Sequence, residues 1–268
     1  TDSKLKKSLW GIKRNCNGIF LPEMAFSQNI LPNLKNSGYK WTILGDAVFN
    51  AQYSYVPFDH VIDIQGDFKT LLRSNYWSNL IAGGKLNFWE FRRRLEYELP
   101  QWTKGQPAYL VIAMDAETFG HHHQDLIDSF LAPILKEWGG EDEGILTPLE
   151  EISRLFPAKT LVKAEDGSWS TSQDDYWHDD PFPLWKSRYN LYHQDLWQLV
   201  NIALKYAEQP GASWDCLKIV SSCHSWWISR RSGWKPEFMK FSARLAMRII
   251  DKFGSARDKE ESKEIFEK

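Results

Sequence analysis

The chain has 268 residues, of which 43% are hydrophobic and 25% charged, and its formal net charge is −2. This length suits one large α/β domain or two small ones. The near-neutral charge argues against a nucleic-acid-binding protein and against attraction to an acidic membrane surface. The longest apolar run is shorter than ten residues and residues 1–7 lack an apolar segment. The sequence therefore predicts neither a membrane span nor a signal peptide.

The chain contains three cysteines, an odd number without the spacing of a zinc site. They are Cys16, Cys216 and Cys223. Reduced thiols are the simplest interpretation, and they indicate a cytoplasmic protein. We predict no cofactor.

Aromatic residues are abundant, with 14 Trp, 10 Tyr and 15 Phe. Many of them are expected to pack in the core. Exposed indoles, however, suit a ligand with flat apolar faces and a polar rim, such as a sugar ring, or else a partner protein. The indoles that lie among polar residues are Trp77, Trp89, Trp102, Trp169, Trp177, Trp185, Trp226, Trp227 and Trp234.

Strands and helices alternate in the first half of the predicted structure, which indicates parallel βα units. The predicted elements are a brief strand at 19–21, a helix at 29–37, a strand at 39–44, a loop at 50–61, a strand at 68–73, a helix at 86–99 and a buried strand at 109–114. We therefore predict an α/β fold, with a first domain over residues 1–125.

The second half of the chain is predicted to be helical. Helices are expected at 126–138, 148–155, 193–208, 214–228 and 236–253, and a frayed charged helix at 255–268. A Trp-rich segment, residues 161–190, interrupts them. We predict that residues 126–268 form a helical region that carries this segment as a substrate loop.

Two acids follow predicted strands. Glu23 comes after Gly18-Ile19-Phe20-Leu21-Pro22, and Asp115 follows the apolar run that ends at Met114. Side chains at the carboxyl ends of strands in α/β sheets face the ligand crevice, and paired acids there are what glycosidic bond cleavage requires. The alternatives are a surface glutamate after a strand and an aspartate that caps the following turn.

His121, His122 and His123 follow the second acid. Consecutive side chains on a turn point about 100° apart, so three in a row do not converge on one ion, and we predict no metal site. Contacts of His121 and His122 with sugar hydroxyls or a carboxylate are the preferred interpretation. A metal-dependent deacetylase-like or amidohydrolase-like enzyme built on these histidines is a further alternative.

The segment from Asp166 to Trp185 alternates indoles, carboxylates and hydroxyls on a turn-rich loop. Carbohydrate subsites combine stacking planes with hydrogen-bonding groups in this way. The other interpretation is an irregular loop packed on its own tryptophans.

The segments GIFLPEMAF and VIAMDAETFGHHH, followed by GSWS, resemble three of the five sequence regions of glycoside hydrolase family 57. That family includes α-amylases, amylopullulanases, α-glucan-branching enzymes and 4-α-glucanotransferases. The resemblance implies that Glu23 is the catalytic nucleophile and Asp115 the general acid/base. It also implies substrate binding by Trp169 and Asp174, and Trp177 and Trp226 are added as aromatic candidates.

The resemblance implies a retaining glycoside hydrolase or glucanotransferase that acts on α-glucans by double displacement. It further implies a fold made of the C-terminal part of an incomplete (β/α)7 barrel followed by a helical region. The His-x-Pro region that opens the family pattern is absent, so we expect an N-terminal segment or another chain to complete the barrel. A non-catalytic carbohydrate-binding or regulatory protein on the same scaffold is the alternative.

Overall fold

The computed structural model describes residues 17–50, 58–140, 146–161 and 164–268. The chain divides into two compact units, Thr1–Trp169 and Ser170–Lys268. The boundary that we predicted at residue 125 falls inside the first unit. Cys16 and most of the predicted loop at 50–61 lie outside the described residues.

The first unit contains a five-stranded mixed sheet with the strand order β1-β2-β4-β3-β5. The strands are β1 (Gly18–Ile19), β2 (Trp41–Gly45), β3 (Val61–Ile64), β4 (Phe68–Arg73) and β5 (Ala158–Leu161). The pairs β1–β2, β2–β4 and β3–β5 are parallel, whereas β3 and β4 are antiparallel. The α/β class agrees with the prediction, and β4 has the predicted bounds.

The prediction of purely parallel βα units is wrong at β3 and β4, which form a hairpin. The turn between them places Gln65 and Gly66 at φ angles of 56° and 84°. Two consecutive residues with positive φ are typical of the tight turns that join antiparallel strands. The strand β5 was also missed, because it lies in the half of the sequence that reads as helical.

Both faces of the sheet are buried, and alternate residues of each strand point to opposite faces. One hydrophobic cluster contains Ile43, Val61 and Leu71, together with Met24, Tyr109, Val111 and Ile152. Their neighbours Leu44, Ile62 and Leu72 belong to a second cluster, which includes Phe26 and Phe68. The sheet is therefore a rigid layer that fixes the residues at its carboxyl edge.

The predicted strand at 109–114 is extended but does not form a regular ladder. Its one described bridge joins Val111 to Arg73 in the parallel sense. The other backbone groups find irregular partners: the Tyr109 N–H donates to the carbonyl of Phe58, and the Ala113 N–H donates to the Ser78 hydroxyl. Side chains on both faces of the segment are packed, Tyr109 and Val111 in one hydrophobic cluster and Leu110, Ile112 and Met114 against another, so the predicted burial on both faces is confirmed although the regular strand is not.

Helices pack around the sheet of the first unit. The longest, Phe88–Thr103, begins with a capping box in which Asn87 and Glu90 each accept the other's backbone N–H. The helix Asn75–Ala82 was not predicted, and its Trp77 is fully buried rather than exposed. The remaining α-helices among the described residues of this unit are Leu31–Asn36, Ala47–Asn50, Ala132–Trp138 and Leu149–Leu155, and a π-helical turn spans Ile127–Leu131.

The described residues of the second unit form helices. They are Gln173–Trp177, Leu191–Leu204, Ser213–Ile219, Ser222–Trp226, Pro236–Phe253 and Ala256–Phe266. The one helix predicted at 214–228 is thus two short helices. The last helix is ordered rather than frayed, because Ser255 caps it and Asp258 pairs with Lys205. The hydrophobic core of the second unit draws on residues between 196 and 265. It contains the buried thiol of Cys216, whereas Cys223 is exposed.

Within the described part of the chain, no helix is both long and apolar enough to cross a bilayer.

Candidate active site

The carboxyl ends of adjacent strands meet at one edge of the sheet. Gly45, the last residue of β2, pairs with Arg73, the last residue of β4, and Arg73 is bridged to Val111 on its other side. Asp46 directly follows Gly45, and Asp115 follows Val111 by four residues. The strand β1 lies beside β2 and leads, four residues beyond Ile19, to Glu23. Topology therefore gathers these acids around Arg73.

A cavity of about 510 Å³ opens at this edge. Glu23 and Asp115 both line it, as do His122 and Trp169. These are four of the eight residues predicted for the site. The rest of its wall comes from Phe20, Met24, Arg73, Asn79, Ala82, Ala113, Met114, Ala116 and Thr118. The cavity lies entirely within the first unit.

Glu23 occupies a strained backbone position. It sits in the 3-10 turn Pro22–Met24 with φ 58° and ψ 19°, and Met24 follows at φ 47°. Left-handed backbone is disfavoured for residues with a Cβ, by roughly 1–2 kcal/mol each. The turn is held by hydrogen bonds from Met24 N–H to Leu21 O (2.8 Å) and from Ala25 N–H to Pro22 O (3.0 Å). Such strain at a cavity wall is typical of functional positions.

A distant segment locks this turn in place. Phe26 and Gly167 form an antiparallel bridge with two backbone hydrogen bonds of 2.8 and 3.0 Å. The Trp169 N–H donates to the Glu23 carbonyl at 3.2 Å, and its indole Nε1–H donates to Glu23 Oε2 at 2.8 Å. Trp169 therefore orients the Glu23 carboxylate in addition to lining the cavity.

Asp115 precedes the 3-10 turn Ala116–Thr118 and is exposed at the cavity. Its backbone carbonyl accepts a hydrogen bond from Thr118 N–H at 3.0 Å. Its carboxylate makes no capping hydrogen bond to the turn. The capping alternative for Asp115 is thus wrong, and the carboxylate faces the cavity instead.

Arg73 and Asp46 are the charged residues of this edge that sequence reasoning did not single out. Burial lowers the pKa of Arg73 to about 10, although Asp46 and Asp115 act in the opposite direction. Burial also raises the pKa of Asp46, against the opposing effects of the Asn75 N–H bond and Arg73. Arg73 ends a predicted strand. The reasoning that selected the two acids, that side chains at the carboxyl ends of strands face the ligand crevice, could therefore have found it.

The three histidines point to different surroundings. His122 lines the cavity, whereas His121 is exposed and is not part of the cavity wall. The ring of His123 covers Gly84, where an added Cβ would lie 2.7 Å from His123 Nδ1. No group of three His, Cys, Asp or Glu side chains within the described ranges is arranged to hold a metal ion.

The other predicted substrate residues belong to the second unit. Asp174 and Trp177 lie on the short helix Gln173–Trp177, and Trp226 ends the helix Ser222–Trp226. Trp177 is 76% exposed and Trp226 is half-buried. Their substrate contacts, like that of His121, stay predictions.

The sequence of residues 3–165 matches the family model of Glycosyl hydrolase family 57. The chain belongs to glycosyl hydrolase family 57. The match covers the segments that carry Glu23 and Asp115 and ends just before Trp169. No curated protein matches the chain.

Three solved structures share the fold. The α-amylase AmyC from Thermotoga maritima superposes with a TM-score of 0.60 at 13% identity, covering 99% of this chain and 64% of that one. The GH57-type branching enzyme from Pyrococcus horikoshii gives 0.56 at 15% identity, over 99% and 64% of the two chains. The 4-alpha-glucanotransferase from Thermococcus litoralis gives 0.60 at 14% identity, over 92% and 42%. The chain thus spans less than two thirds of each of these relatives.

Proposed function

We propose that the chain carries the catalytic acid pair of a retaining enzyme that acts on α-glucans. The observation that carries the proposal is the shared cavity, which is lined by Glu23, Asp115 and Trp169. Membership of family 57 and the likeness to an amylase, a branching enzyme and a glucanotransferase support α-glucans as substrates. An indole beside two carboxylates suits a sugar ring, whose faces are apolar and whose rim is polar.

The two acids have different surroundings and therefore different proposed roles. The Glu23 carboxylate is held by the indole N–H of Trp169, so it is oriented to attack the anomeric carbon as a nucleophile. Asp115 is exposed and its carboxylate makes no capping hydrogen bond, so it can exchange protons with a leaving oxygen or with an acceptor. His122 on the same wall is proposed to contact sugar hydroxyls.

In the first step, an oxygen of Glu23 bonds to the anomeric carbon while the glycosidic bond breaks, and Asp115 gives its proton to the departing oxygen. In the second step, Asp115 takes a proton from water or from a sugar hydroxyl. The resulting oxygen nucleophile displaces Glu23 from the anomeric carbon. Two displacements retain the anomeric configuration. Water gives hydrolysis and a sugar hydroxyl gives transfer.

We also propose that the sheet is part of a (β/α)7 barrel, followed by a helical region, that another segment or chain completes. The support is that the chain spans 64% of two solved relatives and 42% of a third. In addition, β1 and β5 form the outer edges of the described sheet, and unpaired edges are usually covered. Residues 1–125 would carry both acids.

Azide rescue separates the two roles. We expect Asp115→Ala and Glu23→Ala each to abolish turnover of maltoheptaose. With α-maltosyl fluoride, which needs no proton donor, Asp115→Ala should form a glycosyl-enzyme, and azide should release a product of retained configuration. Glu23→Ala should give the inverted azide product.

The matched control is Asp128→Asn, an exposed acid in the turn Ile127–Leu131, which should leave turnover unchanged. Glucan turnover that survives both Glu23→Ala and Asp115→Ala would refute the assignment. Undiminished glucan binding without turnover in the parent chain would favour the non-catalytic carbohydrate-binding alternative.

A further inference from the structure

Arg73 occupies the centre of the catalytic edge of the sheet. It ends β4, pairs with Gly45 on one side and is bridged to Val111 on the other. It is only 4% exposed, yet it reaches the wall of the cavity that Glu23 and Asp115 line. Among the described residues of that wall, it is the one Lys or Arg.

Neutral oxygens hold the guanidinium of Arg73. Its Nε–H donates to the Ala113 carbonyl at 2.7 Å. Its Nη1 donates to Asn75 Oδ1 at 2.5 Å and its Nη2 to Asn79 Oδ1 at 3.0 Å. The positive charge is therefore fixed in place without being cancelled by a carboxylate among these three partners.

Arg73 and Asp115 line the same cavity, and Arg73 is bonded to the segment that carries the acid. Ala113 lies two residues before Asp115, so the bond to its carbonyl anchors the segment that carries the acid. Asp46 and Asp115 both act on Arg73 through space. The Asp46 carboxylate accepts a hydrogen bond from the Asn75 N–H at 3.0 Å. With a pKa of about 10, Arg73 stays protonated at neutral pH.

We propose that Arg73 is the positioning residue of Asp115: it anchors the acid's segment and stabilises the carboxylate that forms when Asp115 gives up its proton. This inference rests on the proposed function. A direct ion pair would hold Asp115 permanently ionised and unable to donate. A cation held by neutral partners near the acid instead favours the charged product of proton transfer and adds little reorganisation.

The test compares three variants. Arg73→Gln removes the charge, Arg73→Lys keeps a charge but loses the guanidinium fork, and Asn79→Asp places a carboxylate against Nη2. We expect Arg73→Gln to lower kcat by about tenfold or more with a smaller change in KM. The alkaline limb of the pH–rate profile should move up by about one pH unit, because the proton on Asp115 is then harder to lose. Asn79→Asp should move it in the same direction, whereas Arg73→Lys should lower kcat and leave the limb near its original pH.

Other titrating groups face the same space and must be separated. Glu23 and His122 line the cavity, and Asp46 is buried near Arg73. His122→Gln therefore accompanies the series, and the shift caused by Arg73→Gln should persist in its background. The matched control is Arg154→Gln, which removes an exposed cation paired with Glu151 and should leave the profile unchanged.

A direct titration makes the result independent of turnover. Carboxyl ¹³C NMR, with the Asp115 signal assigned through Asp115→Asn, should show its midpoint rising by about one pH unit in Arg73→Gln. An unchanged midpoint in the folded variant would overturn the inference. If Arg73→Gln does not fold, the same comparison with Asn79→Asp decides. A shifted midpoint in a chain that does not process glucans would uphold the electrostatic role of Arg73 and refute the proposed function alone.

Discussion

Replacing Trp169 by Phe tests whether the indole orients the nucleophile. The substitution keeps an aromatic ring in the cavity wall but removes the Nε1–H that donates to Glu23 Oε2 at 2.8 Å. Hydrogen bonds to charged groups contribute about 1.5–3 kcal/mol. Because the Glu23 carboxylate must keep its orientation to reach the transition state, this loss should lower kcat/KM by roughly 10- to 150-fold.

The backbone contacts of the same segment should survive the substitution. The Trp169 N–H still donates to the Glu23 carbonyl, and Gly167 still pairs with Phe26. Glu23 is only partly buried at the cavity, so water can replace the lost donor in the folded ground state, and we expect a change in unfolding free energy of less than about 1 kcal/mol, measured in urea, alongside the loss in kcat/KM measured with maltoheptaose. Trp89→Phe is the control, since Trp89 is 56% exposed and does not line the cavity. A kcat/KM within about twofold of the parent, or an equal loss of folding free energy, would refute the orienting role.

Three further substitutions probe strain, protonation and packing. Glu23 has φ 58°, so Glu23→Gly should be more stable than Glu23→Ala by about 1 kcal/mol in urea unfolding, while both lack turnover; equal stability would argue against strain. Burial lowers the pKa of His193, whose Nδ1 accepts the Ser187 N–H. As pH drops below about 6.5, His193 is therefore protonated in the unfolded chain before the folded one, and the unfolding free energy should fall. His193→Gln should reduce this dependence of the unfolding free energy on pH, whereas the control His178→Gln, at an exposed histidine, should not. Phe26 is fully buried beside the catalytic turn, so Phe26→Ala should cost about 3–5 kcal/mol and abolish turnover, as thermal unfolding and glucan assays would reveal.

The shared position of Glu23 and Asp115 could be predicted because side chains at the carboxyl ends of neighbouring parallel strands meet at one edge of the sheet. Each acid follows an apolar segment, and parallel neighbours bring such positions to one edge whatever the exact length of the strands. That is why Glu23 and Asp115 could be placed in one cavity although the segment before Asp115 is not a regular strand. The strand Phe68–Arg73 was found because it is short, apolar and bounded by polar residues.

What the sequence concealed depends on tertiary contacts. Glu23 has a left-handed backbone in a turn followed by the bridge between Phe26 and Gly167, and no local sequence pattern reveals that long-range contact. Trp77 reads as exposed because its sequence neighbours are polar, but its helix turns it toward Ile81 in the core. The position of Arg73 at the end of a predicted strand is visible in the sequence, but its hydrogen bonds to Ala113, Asn75 and Asn79 are tertiary contacts that the sequence does not show.

The bridge between Phe26 and Gly167 also bears on how the site forms during folding. These residues are about 140 positions apart in the sequence, so closing this contact costs far more chain entropy than forming a helix or a hairpin. During synthesis, the strands up to β4 leave the ribosome well before Gly167 exists. Until then, the left-handed turn at Glu23 has its local hydrogen bonds, from Met24 N–H to Leu21 O and from Ala25 N–H to Pro22 O, but lacks its contacts with Gly167 and Trp169. The position that Glu23 needs for its proposed role is therefore completed late, and a nascent chain that has not yet reached Gly167 has the strands up to β4 without the bridge beside Glu23.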